Sequence, residues 1–174
     1  MVDKTEIIKK MYELSKLIKY EFKDIDKLKN TINSTKIQVE GKSKKKKEYQ
    51  NQRLAIVGDA LLKFLISDDL FNNKNIKTKG DLTKCKEEME NNNLFHLIIL
   101  KEKIINYAFN DVIFYSMENS KHNQVHCVKH DDYLEAIVGA IYYDGGIKKT
   151  KNWYYEWLKP LLEKYKKGDI KSEK

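Results

Sequence analysis

The chain has 174 residues, 41% of them apolar and 34% charged, with one proline and seven glycines. That balance suits a single folded domain with a buried core and excludes a disordered, collagen-like or low-complexity chain. Lys and Arg number 34 against 26 Asp and Glu, a net charge of +8, which suits a polyanionic partner and says nothing about fold.

Ile7, Ile8, Met11, Leu14, Leu17 and Ile18 recur at three- and four-residue spacing and predict an amphipathic first helix. Phe22, Ile25, Leu28 and Ile32 predict a short second helix over residues 23–32. The basic run at 41–47 reads as a solvated loop or the start of the next helix. Leu54, Val57, Leu61, Leu65 and Ile66 define a long central helix ending near Leu70 and Phe71. Residues 72–79 are polar and read as a loop. Gly80 and Asp81 open a further helix through Met89, with Asp81 as candidate N-cap. Three asparagines at 91–93 separate it from an apolar run over 94–99. Residues 107–115 read as irregular or partly extended. A helix over 131–143 is expected to stop at Gly145 and Gly146. Trp153, Trp157, Leu158, Leu161 and Leu162 mark a last helix, with Pro160 as a kink or restart. Strong strand signals are lacking, so the expected fold class is all-α, in one domain without internal repeats.

Two cysteines, Cys85 and Cys127, are too few for a disulfide framework. No run approaches the roughly 20 apolar residues of a membrane span, and residues 1–6 lack a signal-peptide core. The expected location is intracellular, cytoplasmic or nuclear, with no membrane partner.

Two segments set acids into apolar helical stretches. Residues 51–62 read NQRLAIVGDALL and carry Asp59; residues 132–146 read DYLEAIVGAIYYDGG and carry Asp132 and Glu135. A carboxylate near a buried face must be paired, protonated or bound to a cation, because desolvating a lone charge is costly. Asp132 and Glu135, three residues apart, share a helix face. If the Asp59 helix packs on theirs, three carboxylates converge. Hard oxygens of this kind suit Mg²⁺, which keeps several waters. A divalent ion activates water and neutralises charge on an attacked phosphate, so no side-chain nucleophile is required. On spacing alone, an acidic pair at i,i+3 is more often a solvated helix face, and a lone Asp59 more often a packing acid paired with Arg or Lys.

Residues 51–62 resemble the ribonuclease III signature NERLE(F/V)LGDA, and residues 132–146 resemble that family's second acidic block, DxxEAxxGA followed by DGG. GDLTK at 80–84 and the stretch from Asn93 are similar to the intervening helices. The likeness runs from about residue 10 to residue 165, in order. It implies the all-α ribonuclease III endonuclease-domain fold, packed as a two-fold homodimer. One domain is expected over 1–174, with its core at about 10–165 and no double-stranded-RNA-binding domain, since only residues 161–174 follow Pro160. The implied activity is metal-dependent endoribonuclease hydrolysis of double-stranded RNA, leaving short 3′ overhangs. Asp59, Asp132 and Glu135 would be the catalytic residues and the ligands of Mg²⁺, with Mn²⁺ able to substitute. The implied partners are double-stranded RNA and a second copy of the chain, with a separate RNA-binding protein as a potential helper.

The family's fourth carboxylate falls at Ala55 and its earlier glutamate at Gln52, while Lys79 stands where many members have an acid. LAIVGDA at 54–60 also resembles the Mini-III branch, whose members lack that glutamate and still cleave double-stranded RNA. The second block, with Asp132, is closer to the standard family, so the chain reads as a divergent, minimal member. The alternative raised by Ala55 and Gln52 is a fold that has lost catalysis and serves as an RNA-binding or ribosome-associated scaffold.

Lysines at 42, 44–47, 74, 77, 79, 148, 149 and 151 are candidates for a basic surround, although the run at 44–47 is more often a solvated loop. His122, His126 and His130 recur every fourth residue beside Cys127. Their segment reads as loop, so ordinary surface histidines are expected rather than a zinc face. Tyr142, Tyr143, Trp153, Tyr154, Tyr155 and Trp157 are expected to pack in the core rather than stack on bases. Gly58 and Gly139 sit inside helices at about 1 kcal/mol each, which points to close helix approach. The central helix also carries more apolar residues than one core-facing stripe needs, leaving some for a partner.

Overall fold

The computed structural model describes residues 4–32, 50–108 and 131–166. The basic run at 41–47, residues 109–115 and the group of His122, His126, Cys127 and His130 lie outside the described residues. The helices are α1 (Lys4–Leu17), α2 (Ile25–Thr31), α3 (Gln50–Phe71), α4 (Lys79–Met89), α5 (Asn92–Lys101), α6 (Asp131–Trp153) and α7 (Lys159–Lys166). A 3₁₀ turn at Ile104–Tyr107 follows α5, and a π-helical turn at Tyr154–Leu158 joins α6 to α7. The described residues contain no strand, and the all-α expectation holds.

Periodicity explains most of this. Met11 and Leu14 of α1, Leu28 of α2, Leu62, Leu65 and Ile66 of α3, and Ile98 and Ile99 of α5 all fall on inward faces and share one core. α2, α3 and α5 all pack on α6, whose residues 133–141 are buried without interruption. A helix buried all round carries apolar residues on every side, and this one does so over 133–141 apart from Glu135.

Helix ends are fixed by specific acceptors and donors. Lys19 takes a left-handed φ of 53° and ends α1. The indole N–H of Trp153 donates to the Ile18 carbonyl at 2.8 Å, and that of Trp157 to the Leu17 carbonyl at 3.1 Å. These carbonyls have no partner within the helix, so the two indoles satisfy groups that burial would otherwise leave orphaned. The two rings stack with centroids 5.2 Å apart. Asp24 caps α2, accepting from the Asp26 N–H at 3.1 Å.

Two local expectations are corrected. The N-cap of α4 is Thr78, not Asp81: its hydroxyl oxygen accepts the Asp81 N–H at 3.1 Å and its O–H lies 2.6 Å from the Asp81 carboxylate. A threonine three residues before an acid makes this pairing, and the helix starts earlier than its first glycine. The stop expected at Gly145 and Gly146 is met, since helical dihedrals break there. Gly146 takes φ 75° and ψ 176°, a kink, after which helix resumes to Trp153. Buried Thr150 donates to the Gly146 carbonyl at 3.0 Å and ties the resumed turn to the kink. Finally, the aromatics divide. Trp153, Tyr154 and Trp157 are buried, whereas Tyr143 and Tyr155 are exposed. The restart expected at Pro160 is met: the chain widens to a π-turn just before it, and Pro160 sits in the first turn of α7, where its missing N–H costs least.

Asp144, the last buried residue before the kink, locks α1 and α2 to α6. Its carboxylate accepts the N–H of Lys23 and of Asp24 at 3.1 Å each, and the Tyr20 hydroxyl at 3.0 Å. Lys27 lies 3.6 Å away. Burial pushes the Asp144 carboxyl up, but the two backbone donors, the Tyr20 hydroxyl and the Lys27 charge outweigh it and hold it below its ordinary value. Burial first, and then the Asp144 charge, push the Tyr20 hydroxyl above its ordinary range.

Candidate active site at the crossing of α3 and α6

Gly58 and Gly139 bring two backbones into direct contact. A methyl group on Gly58 would stand 1.7 Å from the Glu135 carbonyl oxygen, and one on Gly139 would stand 2.3 Å from that of Leu54. Neither position tolerates a Cβ without moving a helix. Farther along, Lys151 pairs with Asp68 at 2.6 Å. The glycines keep the acids close: Asp59 follows Gly58 directly, and Glu135 belongs to the turn that Gly58 touches.

One cation faces both of those acids. Lys63 lies one turn beyond Asp59 on α3, and its ammonium donates to Asp59 Oδ2 at 2.6 Å. That hydrogen bond, opposed by slight desolvation, holds the Lys63 ammonium above its ordinary pKa, and the charges of Asp59, Glu90 and Glu135 add to the effect. Asp59 and Glu135 thus share one electrostatic neighbourhood. Glu135 is buried, and Asp132, one turn earlier on α6, is half-buried; both make interactions of their own. Ala55, one turn before Asp59, is buried and offers no ligand atom.

Among the described residues no group of three or more His, Cys, Asp or Glu side chains stands close enough to hold a metal ion. Asp59 and Glu135 are brought to a common cation, and Asp132 lies on the adjoining turn of Glu135's helix. The donor chemistry nevertheless fits a divalent cation. Carboxylate oxygens are its preferred ligands, and the Lys63 ammonium shows that positive charge is already accommodated beside Asp59.

Two members of this neighbourhood went unread in the sequence. Lys63 had a visible signal, since a lysine four residues after an aspartate pairs with it on a helix. Glu90 had none: it is the C-terminal cap of α4 and reaches the site only because α4 packs on α3. Its Oε2 accepts from Lys86 at 2.8 Å, while its Oε1 is buried with no hydrogen-bond partner.

The surrounding charge is uneven. Lys74, Lys77, Lys79, Lys148 and Lys149 are exposed, whereas Lys151 is engaged with Asp68. A stripe of apolar residues lies along the outside of α3. Ile56 is 73% exposed, Phe64 53% and Phe71 78%. With exposed Ala60, they fall within about a quarter of the helix circumference. No helix of the described residues is long and apolar enough to cross a membrane.

The family model described as Ribonuclease-III-like matches residues 40–162, a span that takes in both acidic segments. The chain is 31% identical over 151 residues to Ribonuclease 3 of Ehrlichia ruminantium (strain Welgevonden), covering 84% of this chain and 61% of that protein. It is 31% identical over 144 residues to Ribonuclease 3 of Campylobacter jejuni (strain RM1221), covering 83% and 59% respectively. The chain thus spans about three-fifths of the length of the curated relatives it matches. In three dimensions it is similar to a nuclease domain of ribonuclease III from Campylobacter jejuni, studied for flexibility in its region involved in dimer formation. The TM-score is 0.67 at 27% identity, covering 88% of this chain and 96% of that one. A crystal structure of the same nuclease domain gives a TM-score of 0.66. Sequence and helical architecture agree over the stretch that carries the acids, and the chain belongs to the ribonuclease-III-like family.

Proposed function

We propose that this chain is a divalent-metal-dependent endoribonuclease that cuts double-stranded RNA as a homodimer, with one domain and one acidic site per subunit. The observation that supports the reading is the glycine-to-backbone crossing of α3 and α6, which brings the turn of Asp59 against the turn of Glu135, with the Glu135 charge acting on the Lys63 ammonium that pairs with Asp59. Asp59, Asp132 and Glu135 would hold Mg²⁺, or Mn²⁺ in its place, directly or through water. The ion would supply an activated water and neutralise charge on the attacked phosphate. The chain's own work is positional: α3 and α6 fix the carboxylates, and the exposed lysines attract the phosphate backbone.

A duplex has two strands, and two cuts need two sites related by symmetry. The stripe of Ile56, Ala60, Phe64 and Phe71 is a self-complementary surface for that purpose, adjacent on α3 to Asp59 and Lys63. Duplex RNA is recognised mainly by shape, phosphate and 2′-hydroxyl contacts, so little sequence specificity is expected. Short 3′ overhangs would follow if the two sites straddle the minor groove.

The test is incubation of the purified protein with long duplex RNA in Mg²⁺, in Mn²⁺ and in EDTA. Metal-dependent cutting that Asp59→Asn abolishes supports the enzyme. Binding without cutting under every condition refutes it and leaves an RNA-binding scaffold, the reading that Ala55 motivates.

A further inference from the structure

We propose that Lys63 is a tethered counter-cation of the acidic site: its ammonium holds Asp59 while no divalent ion is bound, and it competes with an incoming ion for that carboxylate. This deepens the function proposed above and rests on it.

The geometry is local and specific. The ammonium lies 2.6 Å from Asp59 Oδ2, and the charges of Glu135 and Glu90 act on the same group. The Lys63 side chain is about half exposed, at 52%. A lysine there sits on a flexible four-carbon stem and can swing into solvent without disturbing the core. An exposed i,i+4 pair on a helix is weak, so it can be displaced and biases the site rather than blocking it.

Composition around Asp59 strengthens the bias. On one side, a turn earlier, stands Ala55, which adds neither oxygen nor negative charge. On the other, a turn later, stands Lys63, which adds positive charge. Both lower the pull of the site on a second cation. A unit charge about 5 Å from a divalent ion in water, screened at about 0.1 M salt, changes affinity about fivefold. Lys63 thereby becomes the residue that sets the metal concentration at which the site fills. Once displaced, the same ammonium is free to meet a phosphate oxygen of bound RNA.

The experiment is direct titration of Mn²⁺ into the RNA-free full chain, counting free ion by electron paramagnetic resonance. Lys63→Met and Lys63→Gln should each bind Mn²⁺ about fivefold more tightly than wild type. Lys63→Arg, which keeps the charge, should not. Adding Asp59→Asn to Lys63→Met should remove the gain. Unchanged or weaker binding in both neutral variants overturns the role of Lys63, and if binding still depends on Asp59 the proposed enzyme stands. Loss of any Asp59-dependent binding in wild type and neutral variants alike overturns both. Lys63 is exposed, so its variants should melt as wild type does.

Discussion

Single residues decide how closely the acids approach. A helical Gly→Ala change ordinarily gains up to about 1 kcal/mol. At Gly58 the sign reverses, because the new methyl would lie 1.7 Å from a backbone oxygen that cannot rotate away. Gly58→Ala should lower stability by about 2–3 kcal/mol, the ordinary cost of overpacking, and should weaken Mn²⁺ binding as Asp59 and Glu135 are pushed apart. Denaturant melts and the same metal titration check both halves. Asp144 gives a second test with a definite pH sign. Its folded pKa is depressed, so its contribution is present above the unfolded value near 4 and fades as pH falls through the folded value below that. Urea midpoints measured from pH 6 to pH 2 should therefore drop most steeply below about pH 4 in wild type, and this part of the drop should be missing in Asp144→Asn. Asp144→Ala, which strips a buried carboxylate from four partners, should cost about 3 kcal/mol at neutral pH. The importance of Gly58 and Gly139 was legible in the sequence because a glycine inside an apolar helix needs a reason. The Glu90 carboxylate was not, since its reach depends on how α4 lies on α3 and no local pattern encodes that.

At the scale of elements, hydrophobic spacing of three and four residues located α1, α2 and α3 well, because each has one inward face and solvent on the other. The break in α6 was legible, but its continuation was not. Gly145 and Gly146 look like a stop and helical geometry does break at Gly146, while the second helical segment that follows at once depends on tertiary ties: the Asp144 lock before the kink and the buried Thr150 after it. The α4 cap was missed because Thr78 lies inside a run of polar residues that reads as loop. The junction of α1 with the π-turn is testable at this scale. Trp153→Phe and Trp157→Phe each leave an α1 carbonyl without its donor, and each should cost about 1–3 kcal/mol. The loss should be read as faster amide exchange in α1 as well as a lower melting midpoint, since the capped carbonyls belong to its last turn.

For the whole molecule, the exposed stripe on α3 and the acid site beside it belong to one proposal. Phe64→Glu places a charge in the middle of that stripe, and Ile56→Asp places one at its end. Either should convert a dimer to a monomer on gel filtration while leaving the unfolding free energy of the monomer within about 0.5 kcal/mol of wild type, because neither side chain is part of the core. Duplex-RNA cutting should fall with the dimer. If wild type is already monomeric at micromolar concentration and still cuts both strands, the symmetric arrangement fails. The surplus of apolar residues on α3 was readable in advance as more than one core stripe requires. Which of them face outward was not, because the neighbour that covers the inner side, α6, is separated from α3 by 59 residues of chain.

The pair of indoles at the end of α1 has a practical corollary. The chain has two tryptophans, and both sit where its first helix meets its last turns, held by donor bonds to neighbouring carbonyls. Intrinsic fluorescence therefore watches that one seam. It should brighten or shift when the seam opens, and stay silent when RNA, a metal or a second subunit arrives at α3. An emission change on adding ligand would mean that this seam had rearranged.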